Sequence, residues 1–370
     1  MTKIAFLTGT RADYGLLFPL IKIISKKYYI FPIICNMHTS KKFGNSIKEV
    51  NKFKFKKKFL VKNLPKGQNN IDISNSVSEG IKEINKILNS QKPKLIIILG
   101  DRYEALAAAI SAFFCRIPIL HINGGEITKG SLDDNIRNSI SQLSSYHCAP
   151  TKKAANRIYK MKNSKKTIFN TGALGAYNAL KALTKNKKYF YNKYKFKFKE
   201  KNILITFHPE KKFSTSLNEI KFTLEALKSF KKVFKIFTSS NSDAMGIGIN
   251  KLIKNYVKFD ENSTFIKSFG REDYLSLSKY INCFFGNSSS GIIEAPILGV
   301  ETLNLGERQL GREFSSSISS VPFSKKKIIN GLTKLLNKKR KKLKVSSPYL
   351  KKNCPFLIAK VIDKILNEKI

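Results

Sequence analysis

Long apolar runs are missing from this 370-residue chain, and so are the cysteine pairs and histidine spacings that accompany disulfide or metal chemistry. No hydrophobic stretch approaches the roughly 18 residues needed to span a bilayer, so no membrane association is expected. Arg11 and Asp13 interrupt the first apolar segment, which argues against a signal peptide. The five cysteines (35, 115, 148, 283 and 354) are scattered, mostly inside apolar runs and without a Cys-x-x-Cys pair. They read as reduced core thiols of a cytoplasmic protein. His38, His121, His147 and His208 show no i, i+4 pairing, so no metal site is expected. Acidic residues are also scarce, 25 against 69 lysines and arginines, for a net charge of +44. Such a charge raises the question of nucleic-acid binding. The lysines are spread over the whole chain, however, alongside many Asn, Ile, Phe and Tyr, all residues of AT-rich codons. No arginine and aromatic recognition motif accompanies them. The reading is therefore no nucleic acid, no cofactor, and an anionic substrate favoured by the basic field.

What is present is a normal hydrophobic content of 42%, arranged as short apolar runs alternating with helical stretches, which predicts α/β architecture. The densest signal lies between Lys94 and Asn138. Leu95 to Leu99 is an apolar run ended by Gly100-Asp101-Arg102, the pattern of a strand buried on both faces with polar residues at its carboxyl end. An alanine-rich helix follows. A second apolar run, Ile117 to Ile122, then leads into Asn123-Gly-Gly-Glu126 and Leu132-Asp-Asp-Asn-Ile-Arg137. Open α/β sheets bind ligands at the carboxyl ends of their strands, so Asp101, Arg102, Glu126, Asp133, Asp134 and Arg137 are candidates for chemistry.

In chain order, a first strand (4–8) meets Gly9-Thr-Arg11-Ala-Asp13 and a helix over 16–26. The glycine spacing is not Gly-x-Gly-x-x-Gly, and the next strand (31–35) ends in Asn36-Met-His38 rather than an acid. A nicotinamide dinucleotide is therefore not expected, and Arg11 suits the grip of an anion. Alternation over 52–56 predicts a strand and apolar spacing over 71–88 a helix. The domains read as 1–175, a basic and aromatic junction at 176–200, a second unit at 201–345, and an amphipathic C-terminal helix within 346–370 that packs back on the first domain. The simplest architecture is two doubly wound, Rossmann-like domains facing a central cleft.

In the second domain, strand 202–207 carries His208-Pro209-Glu210 and strand 233–237 leads to Asn241. Strand 281–285 ends in Gly286-Asn-Ser-Ser-Ser-Gly291 before a helix. Free N–H groups and the positive end of a helix make such a turn an anion seat, with Glu294 one turn on, suited to ribose hydroxyls. Arg308 and Arg312 follow the next strand. The pattern is a clamp for a diphosphate opposite a carboxylate cluster.

Taken together, Gly9-Thr-Arg-Ala-Asp-Tyr14, Gly100-Asp-Arg102, His121-Ile-Asn-Gly-Gly-Glu126, Asp133-Asp-Asn-Ile-Arg137, His208-Pro209, the 286–294 turn and Asn304-Leu-Gly-Glu-Arg-Gln-Leu-Gly-Arg312 resemble the hydrolysing UDP-N-acetylglucosamine 2-epimerases, over about residues 3 to 337. The resemblance implies a glycosyltransferase B-like fold and production of 2-epimerised free sugars for sialic or legionaminic acid synthesis. It also implies a homodimer or homotetramer. By it, Arg11, Arg102, His208, Asn241, Ser288, Ser289, Glu294 and Arg308 hold the UDP part, with His208 also assisting catalysis, and Asp101 and Asp133 match catalytic carboxylates. Some members carry a glutamate directly after His-Ile, where this chain has Asn123. Glu126 is the nearest remaining carboxylate and a further catalytic candidate, while Asn123, His38 and Arg137 are candidates for reading the sugar. The alternatives are a non-hydrolysing 2-epimerase and a sugar transferase of the same fold. Which UDP-sugar is used is open.

Overall fold

The computed structural model describes residues 1–39, 46–65, 67, 69–210, 216–240, 245–338 and 346–367. It divides into two compact units, one of 1–127, 132–177 and 349–370, the other of 128–131 and 178–348.

In the first unit the described residues form a parallel sheet of seven strands. In chain order these are β1 (Lys3–Thr8), β2 (Tyr29–Ile34), β3 (Phe59–Leu60), β4 (Leu95–Leu99), β5 (Ile119–Ile122), β6 (Tyr146–Ala149) and β7 (Ile168–Asn170). They lie in the order β3-β2-β1-β4-β5-β6-β7. Connecting helices are α1 (Arg11–Ile24), α2 (Ile47–Asn51), α3 (Asn70–Gln91), α4 (Tyr103–Phe114), α5 (Asp133–Leu143), α6 (Lys152–Lys162) and α7 (Leu174–Leu180). Period-two alternation feeds two cores, as a sheet covered on both faces requires. Ile4, Phe6, Leu95 and Ile97 pack on one face, while Ala5, Leu7, Ile96 and Ile98 pack on the other under α3 and α4. The first face is closed by α1 and by the chain's last helix, whose Ile358, Val361, Ile362 and Ile365 join Leu17, Leu20 and Ile21.

The second unit repeats the theme. Helix α8 (Lys187–Tyr194) precedes β8 (Asn202–Thr206), α9 (Ser216–Leu227), β9 (Phe234–Thr238), α10 (Gly246–Lys258), β10 (Ser263–Ile266), α11 (Arg271–Leu277), β11 (Cys283–Gly286), α12 (Ser290–Ile293), β12 (Glu301–Leu305), β13 (Ile318–Val321) and α13 (Lys325–Asn337). The chain's final helix is α14 (Cys354–Asn367). The second sheet runs β10-β9-β8-β11-β12-β13, also parallel. In each unit the strand order reverses beside the first strand, between β1 and β4 and between β8 and β11. The crevice at such a reversal is where open α/β sheets take ligands.

Three local expectations change. Residues 52–56 form no strand, because the edge of β2 is taken by Phe59–Leu60; Phe53 and Phe55 instead stack 4.6 Å apart and pack on the first core. Helix α1 begins at Arg11, five residues early, because Thr10 and Asp13 form a reciprocal capping box. The basic and aromatic stretch is folded into the second unit: Phe190 and Phe196 are buried, with rings parallel 6.4 Å apart.

Candidate active site

At the first reversal point, the β4 end is fixed from the neighbouring strand. His121 on β5 donates through Nε2 to the Gly100 carbonyl at 2.8 Å, while its Nδ1 accepts from Ser141 at 3.0 Å. The Gly100 N–H donates to Ile122 O at 3.0 Å. Burial lowers the His121 pKa to about 4, so the ring stays neutral in the tautomer these bonds require. Asp101, the next residue, projects from this fixed turn. Its Oδ2 accepts from Arg137 Nε at 2.9 Å and also from Nη2. Arg137 is 1% exposed, and its Nη1 reaches Asp134 Oδ1 at 3.1 Å and the Glu126 carbonyl at 3.1 Å. Burial alone would favour losing its proton, but Asp101 and Glu126 more than offset that and hold it charged. Asp133 opens α5 one residue before Asp134, where a carboxylate suits the helix dipole.

Asn123, Gly124 and Gly125 form a rigid turn. Asn123 has φ 65°, and its buried Oδ1 has no hydrogen-bond partner. A Cβ at Gly125, φ 77°, would lie 2.3 Å from the Ala154 carbonyl, so glycine is required there. Glu126 itself is buried, with Oε1 accepting from Tyr349 at 3.0 Å.

The turn after β1 does not offer its amides to a ligand. Asp13 Oδ2 accepts from the N–H of Gly9 at 3.2 Å and of Thr10 at 2.9 Å. Burial, then the nearby Glu104 carboxylate, push the Asp13 pKa up to about 6. Arg11 pairs with Glu49 at 2.9 Å, and Arg102 Nε with the buried Glu104 at 2.7 Å. Glu104 also accepts from Asn36 Nδ2 at 2.9 Å. Two tentative sugar contacts are corrected by these bonds. His38 is fully buried with both ring nitrogens engaged, by Thr8 at 2.9 Å and Ser46 at 2.8 Å. Arg137 lies under the carboxylates with its donors spent on them.

At the second reversal point one side chain organises three loops. Asn287, fully buried, accepts from the His208 N–H at 2.7 Å and donates to the His208 carbonyl at 2.8 Å. Its own carbonyl accepts from Gln309 Nε2 at 2.9 Å and, more weakly, Arg308 Nη1 at 3.4 Å. Glu210 accepts from the N–H groups of Glu307 and Arg308, both at 3.1 Å. The turns after β8, β11 and β12 are thereby locked together, which brings His208, Ser288, Ser289 and Arg308 to one edge. Among the described residues, nothing accepts from the Ser288 or Ser289 N–H. Tyr274 holds Ser290 at 2.5 Å, and Ser290 meets Ser288 at 3.2 Å. The expected long helix is only the four residues of α12, with Glu294 at its C-terminal cap, so an anion here would rest on loop amides and hydroxyls rather than on a helix dipole. Asn241 lies outside the described residues.

Sequence reasoning missed Asn287, Glu210, Gln309, Glu104 and Tyr349. Asn287 and Glu210 sit inside noted motifs, where a polar residue directly after a buried strand was the available signal. The others become visible only through distant partners.

No helix among the described residues is long and apolar enough to cross a membrane. A family model described as UDP-N-acetylglucosamine 2-epimerase matches residues 26–363. Polysialic acid biosynthesis protein P7 of Escherichia coli is 32% identical, covering 100% of this chain and 95% of that protein. The GDP/UDP-N,N'-diacetylbacillosamine 2-epimerase (hydrolyzing) of Campylobacter jejuni is 34% identical over 84% of this chain and 82% of its own length. The Methanocaldococcus jannaschii UDP-GlcNAc 2-epimerase, crystallised with UDP-GlcNAc and UDP, shares the fold with a TM-score of 0.81 at 22% identity, covering 98% of this chain and 99% of its own.

Proposed function

The chain belongs to the UDP-N-acetylglucosamine 2-epimerase family, and from that membership we propose that it is a hydrolysing UDP-sugar 2-epimerase. It converts UDP-N-acetylglucosamine, or a 2,4-diacetamido-trideoxy relative, to the free manno-configured sugar and UDP. The observation that carries this reading is Asp101, set at the carboxyl end of β4 on a turn pinned by His121 and held on one oxygen by two nitrogens of a buried arginine. The hydrolysing activity printed for the Campylobacter relative supports the choice of outcome.

In this mechanism the second unit holds the nucleotide. Loop N–H groups of Ser288 and Ser289, with His208 and Arg308, stabilise the charge that develops on the departing UDP. Glu294 binds the ribose, and Arg11 and Arg102 add positive charge from the first unit. As the C1–oxygen bond breaks, carboxylates of the first unit stabilise the ring and one removes the C2 proton, giving a 2-acetamido-glycal. The C2 hydrogen has no flanking carbonyl and is weakly acidic, so a positioned base contributes on the order of 10²- to 10⁴-fold. Water then adds at C1 while a proton is delivered to the opposite face of C2. Asp101 and Asp133 share these proton transfers.

The test is incubation with each sugar nucleotide in deuterated water. Free sugar with deuterium at an inverted C2, plus UDP, is expected. UDP-linked manno sugar would establish the non-hydrolysing reaction instead, and a requirement for an acceptor a transferase. Asp101→Asn should leave UDP affinity within about threefold while turnover falls roughly 10³-fold or more; wild-type turnover would remove Asp101 from the mechanism.

A further inference from the structure

Tyr349 reaches the first unit from the far end of the chain, 223 residues beyond the carboxylate it touches. Its side chain is 1% exposed, its hydroxyl donates to Glu126 Oε1 at 3.0 Å, and its carbonyl accepts from Ala173 N–H at 2.9 Å. Beside it Gly172, φ 79°, lies so close to Lys351 that a Cβ would sit 2.7 Å from that side chain. The returning segment is thus clamped at the end of β7. Glu126 is equally confined: Arg157 Nη1 holds the preceding carbonyl, that of Gly125, at 2.9 Å, and Arg137 Nη1 holds its own at 3.1 Å.

A buried phenol is unfavourable unless its O–H finds an acceptor, and phenylalanine would fill the same space. The hydroxyl therefore matters for what it does to Glu126. Arg137 serves Asp101 and Asp134 at once. With Tyr349 donating, Glu126 has a partner of its own. Without it, the buried carboxylate turns to the nearest cation and draws the guanidinium from Asp101.

We propose that Tyr349 is a positioning residue: by partnering Glu126 it reserves Arg137 for Asp101, so that the C-terminal segment controls turnover without touching substrate. Glu126 is then a positioning group as well. The proposal rests on the epimerase reading of Asp101.

The experiment compares full-length wild type, Tyr349→Phe, Glu126→Gln and the double variant. It reads UDP release from the sugar nucleotide that the wild type uses, UDP affinity by calorimetry, melting temperature and the pH dependence of kcat. Tyr349→Phe should lower kcat roughly 10-fold, leave KM and UDP affinity within about twofold, and move the acid limb of kcat to higher pH as Asp101 loses its cation. Glu126→Gln removes the competing charge, so it should keep at least about a tenth of wild-type turnover, and Tyr349→Phe should cost much less in that background. A Tyr349→Phe enzyme with wild-type kcat and pH profile overturns the proposal. So does one whose melting temperature and kcat fall with the acid limb unmoved, since that is a packing effect alone. Loss of more than roughly 10³-fold in Glu126→Gln overturns it by making Glu126 catalytic. A wild type that releases no UDP from any sugar nucleotide refutes the epimerase reading, and this proposal with it, whereas normal wild-type turnover matched by Tyr349→Phe refutes the positioning role alone.

Discussion

Replacing Asn287 by alanine removes the one side chain that joins the β8 and β11 turns. Two bonds to the His208 backbone are lost, 2.7 and 2.8 Å long. Each contributes roughly 1 kcal/mol net, and each His208 group left unpaired where water does not reach it costs a further 1–3 kcal/mol or so. Water can enter the space vacated by the amide, so the lower part of that range applies to the half-buried His208, and the sum is roughly 2–5 kcal/mol. For a domain of about 150–250 residues this is a fall of roughly 5–15 °C in melting temperature. If His208 and Ser288 together hold the diphosphate, UDP affinity drops about 10-fold or more, since 1.4 kcal/mol is one decade. Differential scanning fluorimetry and calorimetric titration with UDP measure the two effects. Asn287→Asp is the control, because a carboxylate still accepts the His208 N–H but cannot donate to its carbonyl, so part of the loss should remain. An alanine variant that melts and binds UDP like wild type would refute the claim that Asn287 organises the edge.

Arg308→Ala should weaken UDP binding roughly 10-fold, the scale of one charge-assisted contact, and unchanged affinity by titration would remove Arg308 from the clamp. His38, His121 and His147 are buried, which depresses their pKa values to about 4, 4 and 3 from 6.5. Their stabilisation is complete above pH 6.5 and is lost as pH falls toward 4, with a slope of up to roughly 4 kcal/mol per pH unit for three protons. A urea midpoint that stays flat from pH 7 to pH 5 would contradict this. Burial would raise the Asp273 pKa, but Lys185 at 2.5 Å, Lys193 at 2.6 Å and the Tyr194 and Tyr189 hydroxyls hold it near 2. Its contribution, about 2 kcal/mol, is present above pH 4 and lost as pH falls through 2, so Asp273→Asn should melt lower at pH 7 and converge on wild type near pH 2.

The polypeptide's own pattern determined the α/β class, the glycine-bearing turns at 100, 124–125 and 286, and the acidic and basic residues gathered at strand ends. Five-residue apolar runs buried on both faces leave little alternative to parallel strands, and their carboxyl ends follow from chain direction alone. Element ends were less legible: α1 moved forward because a capping box outweighs the apolar periodicity, and the aromatic stretch before β8 folded because Phe190 and Phe196 found a sheet face to cover. Tertiary structure alone decided which charged groups are spent internally. Arg11 faces Glu49, Arg102 faces Glu104, His38 is sealed in the core, and Asp101, Glu126, Arg137 and Tyr349 form one network. The reason is physical: a buried charge or hydroxyl must find a partner, and that partner can stand anywhere along the chain. Sequence spacing carries no trace of a bond between residues 126 and 349.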